Sequence, residues 1–513
     1  MVPTVYMELD EMPQTLNGKT DLRNLPEPVL ITEYVAPEND IEAFFADAFA
    51  DILSLDKVGV TDNFFEIGGT SLLVTKITLA ALNKGYDISY GDVFDNPTPR
   101  KLTKFILTDE DSEIARNEES DYDYSKINEL LNENTLENFI KSEQHDDDLG
   151  DILLTGATGF LGIHILRELL ENNEGNIYCL VRSKSNISAE ERLKFLLYYY
   201  FSNNYEELFK DRIHIIDGDI TRYEDFEKLS SYGIDTIFNC AANVKHFSSG
   251  TDIEDINYGG VLNGLKFAKL KNSKFVQIST YSVAGESINN FPPEDYLFNE
   301  RDLYIGQGTE NQYVRSKFLA ERAILESAIE DNLSVKIMRV GNLMARSDDG
   351  EFQINFISNG FVNRLKAFVT LGKMPYSLLS SDDELSPIDV TAKSIVELSK
   401  TPKECVVFHP YQHHTICFGD IIDIIKPLGL EIDAVEEEEF DEYLNQAFND
   451  KDKQEGISGL ITSAGGGTMK KVWIGAENDY TIQVLYRLGV KWPIISEEYI
   501  YKFIEYLNDL AFF

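Results

Sequence analysis

Six short apolar runs separated by helical stretches constrain this chain more than any other feature of it. They lie at residues 152–154, 177–181, 213–216, 236–239, 275–279 and 335–339. Each is apolar at mostly successive positions rather than alternate ones, the pattern of a strand buried on both faces. Helical segments between them act as crossovers, and strands joined in that way run parallel. From residue 150 onward the expectation is therefore an α/β fold with a doubly wound parallel sheet, mainly over 150–350 with later returns. From about Phe352, aromatic-rich helical segments take over, which predicts a smaller, mostly helical C-terminal subdomain.

The region before the sheet has a different pattern. Between Pro37 and about Leu107, Ile41, Phe44, Phe45, Ala48, Phe49 and Ile52 recur at helical spacing. Leu72, Leu73, Ile77, Leu79 and Ala80 repeat it, and Asn96-Pro97-Thr98-Pro99 interrupts the chain before a last short helix. A small all-α, four-helix domain over 35–107 is expected. Residues 1–30, broken by Pro3, Pro13, Gly18, Pro26 and Pro28, are too punctuated to bury a core. Residues 108–148 are acidic and polar around an amphipathic piece from Ile127 to Ile140. That segment is expected to be a linker leading into a docking helix of the domain at 150–513.

Charge and cysteine usage exclude several function classes. Asp and Glu number 88 against 46 Lys and Arg, a net charge of −42. Such a field repels phosphate backbones and anionic bilayers, so neither nucleic acid nor membrane is an expected partner. Cys179, Cys240, Cys405 and Cys417 are scattered with no Cys-x-x-Cys pair, the pattern of reduced thiols in an intracellular protein. No disulfide framework or metal site is expected. No uncharged apolar stretch reaches the about 18 residues that suggest a membrane span. Met1 to Asp10 lacks the basic and apolar regions of a signal peptide, and a soluble, cytoplasmic protein is expected.

Within the helical domain stands Asp62-Asn63-Phe64-Phe65-Glu66-Ile67-Gly68-Gly69-Thr70-Ser71-Leu72. Two glycines allow a tight turn, and Ser71 then opens a helix whose free N–H groups suit a phosphate ester. An ordinary capping serine is the alternative. The whole string, set in a domain of this size, resembles the peptidyl carrier domains of nonribosomal peptide synthetases. The resemblance implies that Ser71 carries 4′-phosphopantetheine, attached by a phosphopantetheinyl transferase, with the cargo on its thiol. Upstream, Pro13-Gln14-Thr15-Leu16-Asn17-Gly18-Lys19-Thr20-Asp21 is similar to the last motif of an adenylation domain. Lys19 matches the lysine that contacts the adenylate there, and is expected to be a remnant that activates nothing by itself. Upstream adenylation and condensation domains of the same synthetase are the partners implied.

The first apolar run enters Thr155-Gly156-Ala157-Thr158-Gly159-Phe160-Leu161-Gly162 and then a helix. Strand, glycine-rich turn and helix in that order form a site where backbone N–H groups hold a pyrophosphate. The spacing resembles the extended short-chain dehydrogenase/reductase class, a Rossmann-like fold. The second run ends at Arg182, where an acid would select NAD; an arginine suits the 2′-phosphate of NADPH. Arg192 is a second candidate contact, with a surface role as its alternative. Asp219 and Ile220, then Ala241, Ala242 and Asn243, fall where this class lines the adenine and ribose pocket. Asn257 also matches a position common in the class.

Ser279-Thr280-Tyr281-Ser282-Val283-Ala284-Gly285 follows the fifth run, and Tyr313-Val314-Arg315-Ser316-Lys317 opens a helix. Tyr313 and Lys317 share a helix face, and an ammonium beside a phenol makes the hydroxyl a readier proton donor. Thr280 can hydrogen-bond a substrate oxygen. It is chosen over Ser279 because it matches the class position counted back from Val283-Ala284-Gly285. Lys317 is also expected on the nicotinamide ribose. Tyr122 and Lys126 have the same spacing in a polar setting and carry no such expectation. Arg339-Val340-Gly341-Asn342 and Ser386-Pro387-Ile388-Asp389 resemble later landmarks near nicotinamide and substrate, with plain strand-end turns as the alternative.

Taken together, residues 150–513 resemble the thioester reductase domain that ends some nonribosomal peptide synthetases. That resemblance implies reductive release of a peptidyl or acyl thioester as an aldehyde, with further reduction to an alcohol left open. Three other readings stay open at this point. They are a sugar-nucleotide epimerase on the same fold, a carrier beside an inert scaffold, and redox-neutral release by ring closure.

Overall fold

The computed structural model describes residues 34–107, 119–142, 148–244, 252–448 and 474–513, apart from 70, 85, 87, 89, 184–186, 288–291, 294 and 310, with a few further residues between 450 and 460. Residues 1–30, and Lys19 with them, lie outside the described residues. The chain divides into two compact units.

The first unit is built from helices α1 (Asp40–Leu53), α2 (Ser71–Asn83), α3 (Tyr90–Asp95) and α4 (Pro99–Leu107). Asn39 starts α1 by accepting the N–H groups of Ile41 and Glu42 at 3.1 and 2.9 Å. Pro99 opens α4, where its missing N–H costs nothing. Phe45, Phe49, Phe64, Val74, Ile77 and Leu102 fill the core with no exposed surface. Glu42 is buried on α1, and a buried carboxylate is costly unless paired. It accepts from Arg100 Nε at 2.9 Å, which ties α4 to α1.

The second unit opens with α5 (Ser125–Asn132) and α6 (Leu136–Lys141). Ile127, Leu131 and Phe139 turn inward, while Ile140 faces out with 55% exposure. The amphipathic piece is thus two short helices, broken where Thr135 caps the second by accepting the Asn138 N–H. Seven strands follow: β1 (Ile152–Thr155), β2 (Ile177–Val181), β3 (Ile213–Asp217), β4 (Thr236–Asn239), β5 (Lys274–Thr280), β6 (Val335–Val340) and β7 (Val407–Phe408). Their spatial order is β7-β6-β5-β4-β1-β2-β3, with every pair parallel. Between them run α7 (Phe160–Asn172), α8 (Ala189–Phe201), α9 (Gly260–Lys271) and α10 (Gln312–Glu330). Strand order reverses between β1 and β4, and ligands of such sheets bind in the crevice at the carboxyl ends of those strands.

Six of these strands contain the six apolar runs. The seventh, only two residues long, is carried back to the sheet edge after α11 (Gly360–Leu371) and α12 (Ile388–Ser399). Asn134, in the turn between α5 and α6, closes that edge. Its Nδ2 donates to Val407 O at 2.8 Å and its Oδ1 accepts the Val406 N–H at 3.0 Å. The helical subdomain packs α11, α13 (Phe418–Ile425) and α14 (Glu497–Asp509) around Phe352, Leu365, Phe368, Phe418 and Phe503. Among the described residues no helix is long and apolar enough to cross a membrane.

Candidate active site

β1 delivers the chain into a turn that only glycines fit. Gly156 has φ +71°, and a Cβ on it would lie 2.6 Å from Ala241 N. A Cβ on Gly162 would lie 2.1 Å from Gly156 O, so α7 crosses directly over the turn. Gly159 stands just before α7, and the Ile163 N–H closes the first helical hydrogen bond onto its carbonyl at 2.9 Å. The N–H groups of Phe160, Leu161 and Gly162 in that first turn have no intrahelical acceptor. Together with the positive end of the helix they suit a dinucleotide pyrophosphate.

Thr155 does not face the crevice. It is fully buried and donates to Asn239 Oδ1 at 2.6 Å, and Asn239 Nδ2 donates to Gln277 Oε1 at 2.8 Å. Gln277 Nε2 then reaches Ile278 O at 2.7 Å, so a polar chain crosses β1, β4 and β5 beneath their carboxyl ends. At the outer edge Arg182 is two-thirds exposed, with Nη1 3.5 Å from Asp219 Oδ2. Arg192 donates to Arg182 O at 2.8 Å and approaches Thr158 Oγ1 at 3.4 Å. The Arg192 guanidinium therefore lies beside the glycine turn, and that of Arg182 beside Asp219. Burial works against charge on Asp219, but the Thr221 N–H and hydroxyl and Arg182 outweigh it and hold its carboxyl below the usual range. Ile220 is buried against Gly260. Ala241 and Ala242 are half-buried beside the turn, and the Asn243 N–H is taken by Asn257.

Thr280, Tyr313 and Lys317 converge at the end of β5. Asn311 caps α10 by accepting the Tyr313 and Val314 N–H groups at 3.0 and 3.2 Å, which puts Tyr313 in the first turn. Thr280 lies beside the Tyr313 hydroxyl and pulls its titration down, while the Thr280 hydroxyl donates to Ser282 Oγ at 3.1 Å. Thr280 Oγ1 also accepts the Ser282 N–H at 3.2 Å. Lys317 is buried and donates from Nζ to Ile278 O at 3.0 Å. Burial pushes the Tyr313 hydroxyl up to about 12, against the pull of Thr280, so it holds its proton at neutral pH. Burial brings Lys317 down to about 8, with Glu321 and Cys240 acting in the opposite direction.

In the first unit the turn before Ser71 is equally constrained. Gly68 has φ +110°, and a Cβ on Gly69 would lie 2.3 Å from the Phe64 ring. The Gly69 N–H bonds back to Phe64 O at 2.7 Å, and α2 begins at Ser71, whose side chain lies outside the described residues.

Comparison with known proteins settles the family. Residues 43–106 match the model described as phosphopantetheine attachment site, and residues 154–395 the NAD-binding model described as male sterility protein. A thiolation–reductase di-domain from an archaeal nonribosomal peptide synthetase is 43% identical, with TM-score 0.82 over 94% of this chain and 100% of that one. The chain belongs to the thiolation–reductase proteins of nonribosomal peptide synthetases. Within this family, the reductase domain of the aureusimine biosynthetic cluster is 25% identical, with TM-score 0.61 over 75% of this chain and 99% of that one. A linear gramicidin synthase polypeptide of Brevibacillus parabrevis is 29% identical over 99% of this chain. The thiolation–reductase chain spans only 10% of that polypeptide and 34% of a second curated relative, a glycine betaine reductase of Emericella nidulans.

Several side chains of this thiolation–reductase protein have roles that spacing did not show. Asn257 lies in a π-helical turn, Asp255–Gly259, and clamps Asn243 from both sides. Arg339 does not reach the crevice. It is wholly buried in an ion pair with Glu321, so the resemblance to a landmark near nicotinamide does not describe its side chain. Asp389 accepts the Ser347 N–H at 2.9 Å and its hydroxyl, a turn-holding arrangement. Glu384, unremarked in the sequence, accepts from Asn342 N and Ser386 Oγ beyond the end of β6. Burial pushes its carboxyl up to about 7.

Proposed function

We propose that the chain carries a peptidyl or acyl thioester on 4′-phosphopantetheine at Ser71 and releases it by NADPH-dependent reduction to an aldehyde. The observation that carries this reading is the meeting of Thr280, Tyr313 and Lys317 at the end of β5. It lies in the same chain as a phosphopantetheine attachment domain. A dinucleotide fits: Gly156 and Gly162 leave room only for backbone and α7 offers free N–H groups, and the exposed Arg182, with Arg192 bonded to its carbonyl, supports a 2′-phosphate and hence NADPH.

The nicotinamide, when bound, supplies the hydride. Tyr313 donates the proton to the thioester oxygen, and Thr280 adds a second hydrogen bond to the developing oxyanion. Lys317 holds the nicotinamide ribose, and burial keeps the proton on the Tyr313 hydroxyl until it is needed. Gly156, Thr158, Gly159, Phe160, Leu161 and Gly162 form the pyrophosphate cradle, with Thr155 buried beneath it and Asp219, Ile220 and Ala241 to Asn243 around the adenosine. Loss of the pantetheine thiol from the reduced carbon then frees the aldehyde. A phosphopantetheinyl transferase would arm Ser71, and upstream adenylation and condensation domains would supply the cargo, in the cytoplasm. The domain limits that go with this reading are a carrier at 35–107, a linker and docking helices at 108–148, and a reductase at 150–513. Mass spectrometry of the product from a loaded carrier with NADPH tests it. An aldehyde or alcohol is expected; release of a free acid or cyclised product overturns it.

A further inference from the structure

Tyr313, Lys317 and Glu321 lie on one face of α10 at four-residue spacing. All three engage the end of β5: Tyr313 with Thr280, Lys317 with Ile278 O, and Glu321 with the Ser279 hydroxyl at 2.5 Å. Glu321 is gripped from the next strand as well. Arg339, the register partner of Ser279 on β6, gives it Nε at 3.0 Å and Nη2 at 2.7 Å. Both members of the pair have no exposed surface. The remaining Arg339 donors go to Asp302 O, Asn299 O and His409 Nε2, so the fork is held in one orientation.

We propose that Glu321, clamped by Ser279 and Arg339, is a positioning residue that sets α10 against the end of β5 and so aligns Tyr313 and Lys317 for the reduction. A buried ion pair is weak evidence for stability, because desolvation offsets much of its attraction, and apolar packing would hold the helix as firmly. What a two-pronged guanidinium–carboxylate contact adds is direction. A helix pinned through Glu321 cannot rotate or slide without breaking it, and the two residues one and two turns earlier inherit that alignment. Glu321 also places negative charge one turn from Lys317. Cys240 acts on Lys317 from beyond β4, and Ile278 O on β5 accepts a hydrogen bond from its ammonium.

The inference rests on the roles proposed for Tyr313 and Lys317, so the parent is assayed first. A parent that does not oxidise NADPH with a loaded thioester overturns those roles. With an active parent, Ser279→Ala should lower the single-turnover rate about ten-fold, because misplacing reacting groups by about 1 Å costs up to about 10²-fold. Ser279→Ala should stay folded, with its melting lowered by the loss of one buried hydrogen bond, and Ser279→Thr, which keeps the hydroxyl, should restore both the melting and the rate. Glu321→Gln should move the alkaline loss of activity to lower pH wherever its melting shows a folded protein. A Ser279→Ala enzyme that reacts at the parent rate overturns the inference, whatever the fate of Glu321→Gln. A folded Glu321→Gln with the parent pH profile overturns it too.

Discussion

Asn257 and Asn243 hold each other twice: Asn257 Oδ1 accepts the Asn243 N–H at 2.8 Å, and Asn257 Nδ2 donates to Asn243 O at 2.9 Å. A single side chain thereby satisfies both backbone groups of the last residue in the cofactor-lining segment. It also donates to Ser316 Oγ at 3.2 Å, one residue before Lys317. Asn257→Leu removes these bonds and strands buried groups, a loss of about 1–3 kcal/mol for each one left unpaired. Binding of NADPH and NADH should both weaken about ten-fold or more, read by fluorescence titration. Parent affinity for both would mean the clamp does not shape the pocket.

Arg182 and Arg192 should separate in a cofactor comparison. Arg182 is exposed and bound only loosely to Asp219, so its loss leaves the turn intact. Hydrogen bonds to charged groups contribute about 1.5–3 kcal/mol, so Arg182→Ala should weaken NADPH about ten- to a hundred-fold and leave NADH nearly unchanged. Arg192 bridges Arg182 O and Thr158, and Arg192→Ala should weaken both cofactors. Equal losses of the two cofactors in Arg182→Ala would make that residue structural.

Tyr313→Phe keeps the ring and removes the proton. General acid catalysis contributes about 10²–10⁴-fold, and thioester-dependent NADPH oxidation should fall by that order with cofactor affinity unchanged. A parent rate in this variant would return the epimerase-like and inert-scaffold readings to consideration.

Lys317 gives activity and stability opposite pH dependences. In the proposed role its ammonium is the working form, so activity should fall as pH rises through about 8. For stability, the folded value lies below the unfolded one. Between them the unfolded chain binds more protons, and the contribution of this group to stability rises with pH. The difference in melting between the parent and Lys317→Met should therefore change in the parent's favour from pH 8 towards 10.5, the two values that bound the window. A difference constant across that window would mean Lys317 is not titrating there.

Incubation with coenzyme A and a phosphopantetheinyl transferase should add one phosphopantetheine mass to the chain, and none to Ser71→Ala. Modification that survives the substitution would move the attachment point elsewhere.

How much of this was legible in the sequence depended on how local each feature is. Strands β1 to β6 stand out because each carries an apolar run between helical segments, whereas the short run Cys405 to Phe408, of which only Val407 and Phe408 pair, lies beyond the aromatic-rich region that reads as a separate subdomain. Gly156, Tyr313 and Lys317 were visible through spacing along one turn or one helix. Arg339 was legible as a landmark but not in its role, because a strand pattern does not say that its guanidinium meets Glu321 inside the protein. Ser279 carries no signal of its own beside Thr280, because its partner Glu321 lies 42 residues away on α10. Asn134 gave no signal, since its acceptor lies 273 residues away.

That asparagine has a consequence for how the protein keeps company. A sheet edge ending in free N–H and C=O groups invites an incoming strand, which is how neighbouring polypeptides fuse their sheets or aggregate. At β7 the amide of Asn134 occupies both kinds of group with one side chain. On this edge an incoming strand finds Val407 O and the Val406 N–H already taken, so another chain would meet this border through side chains rather than by extending the sheet.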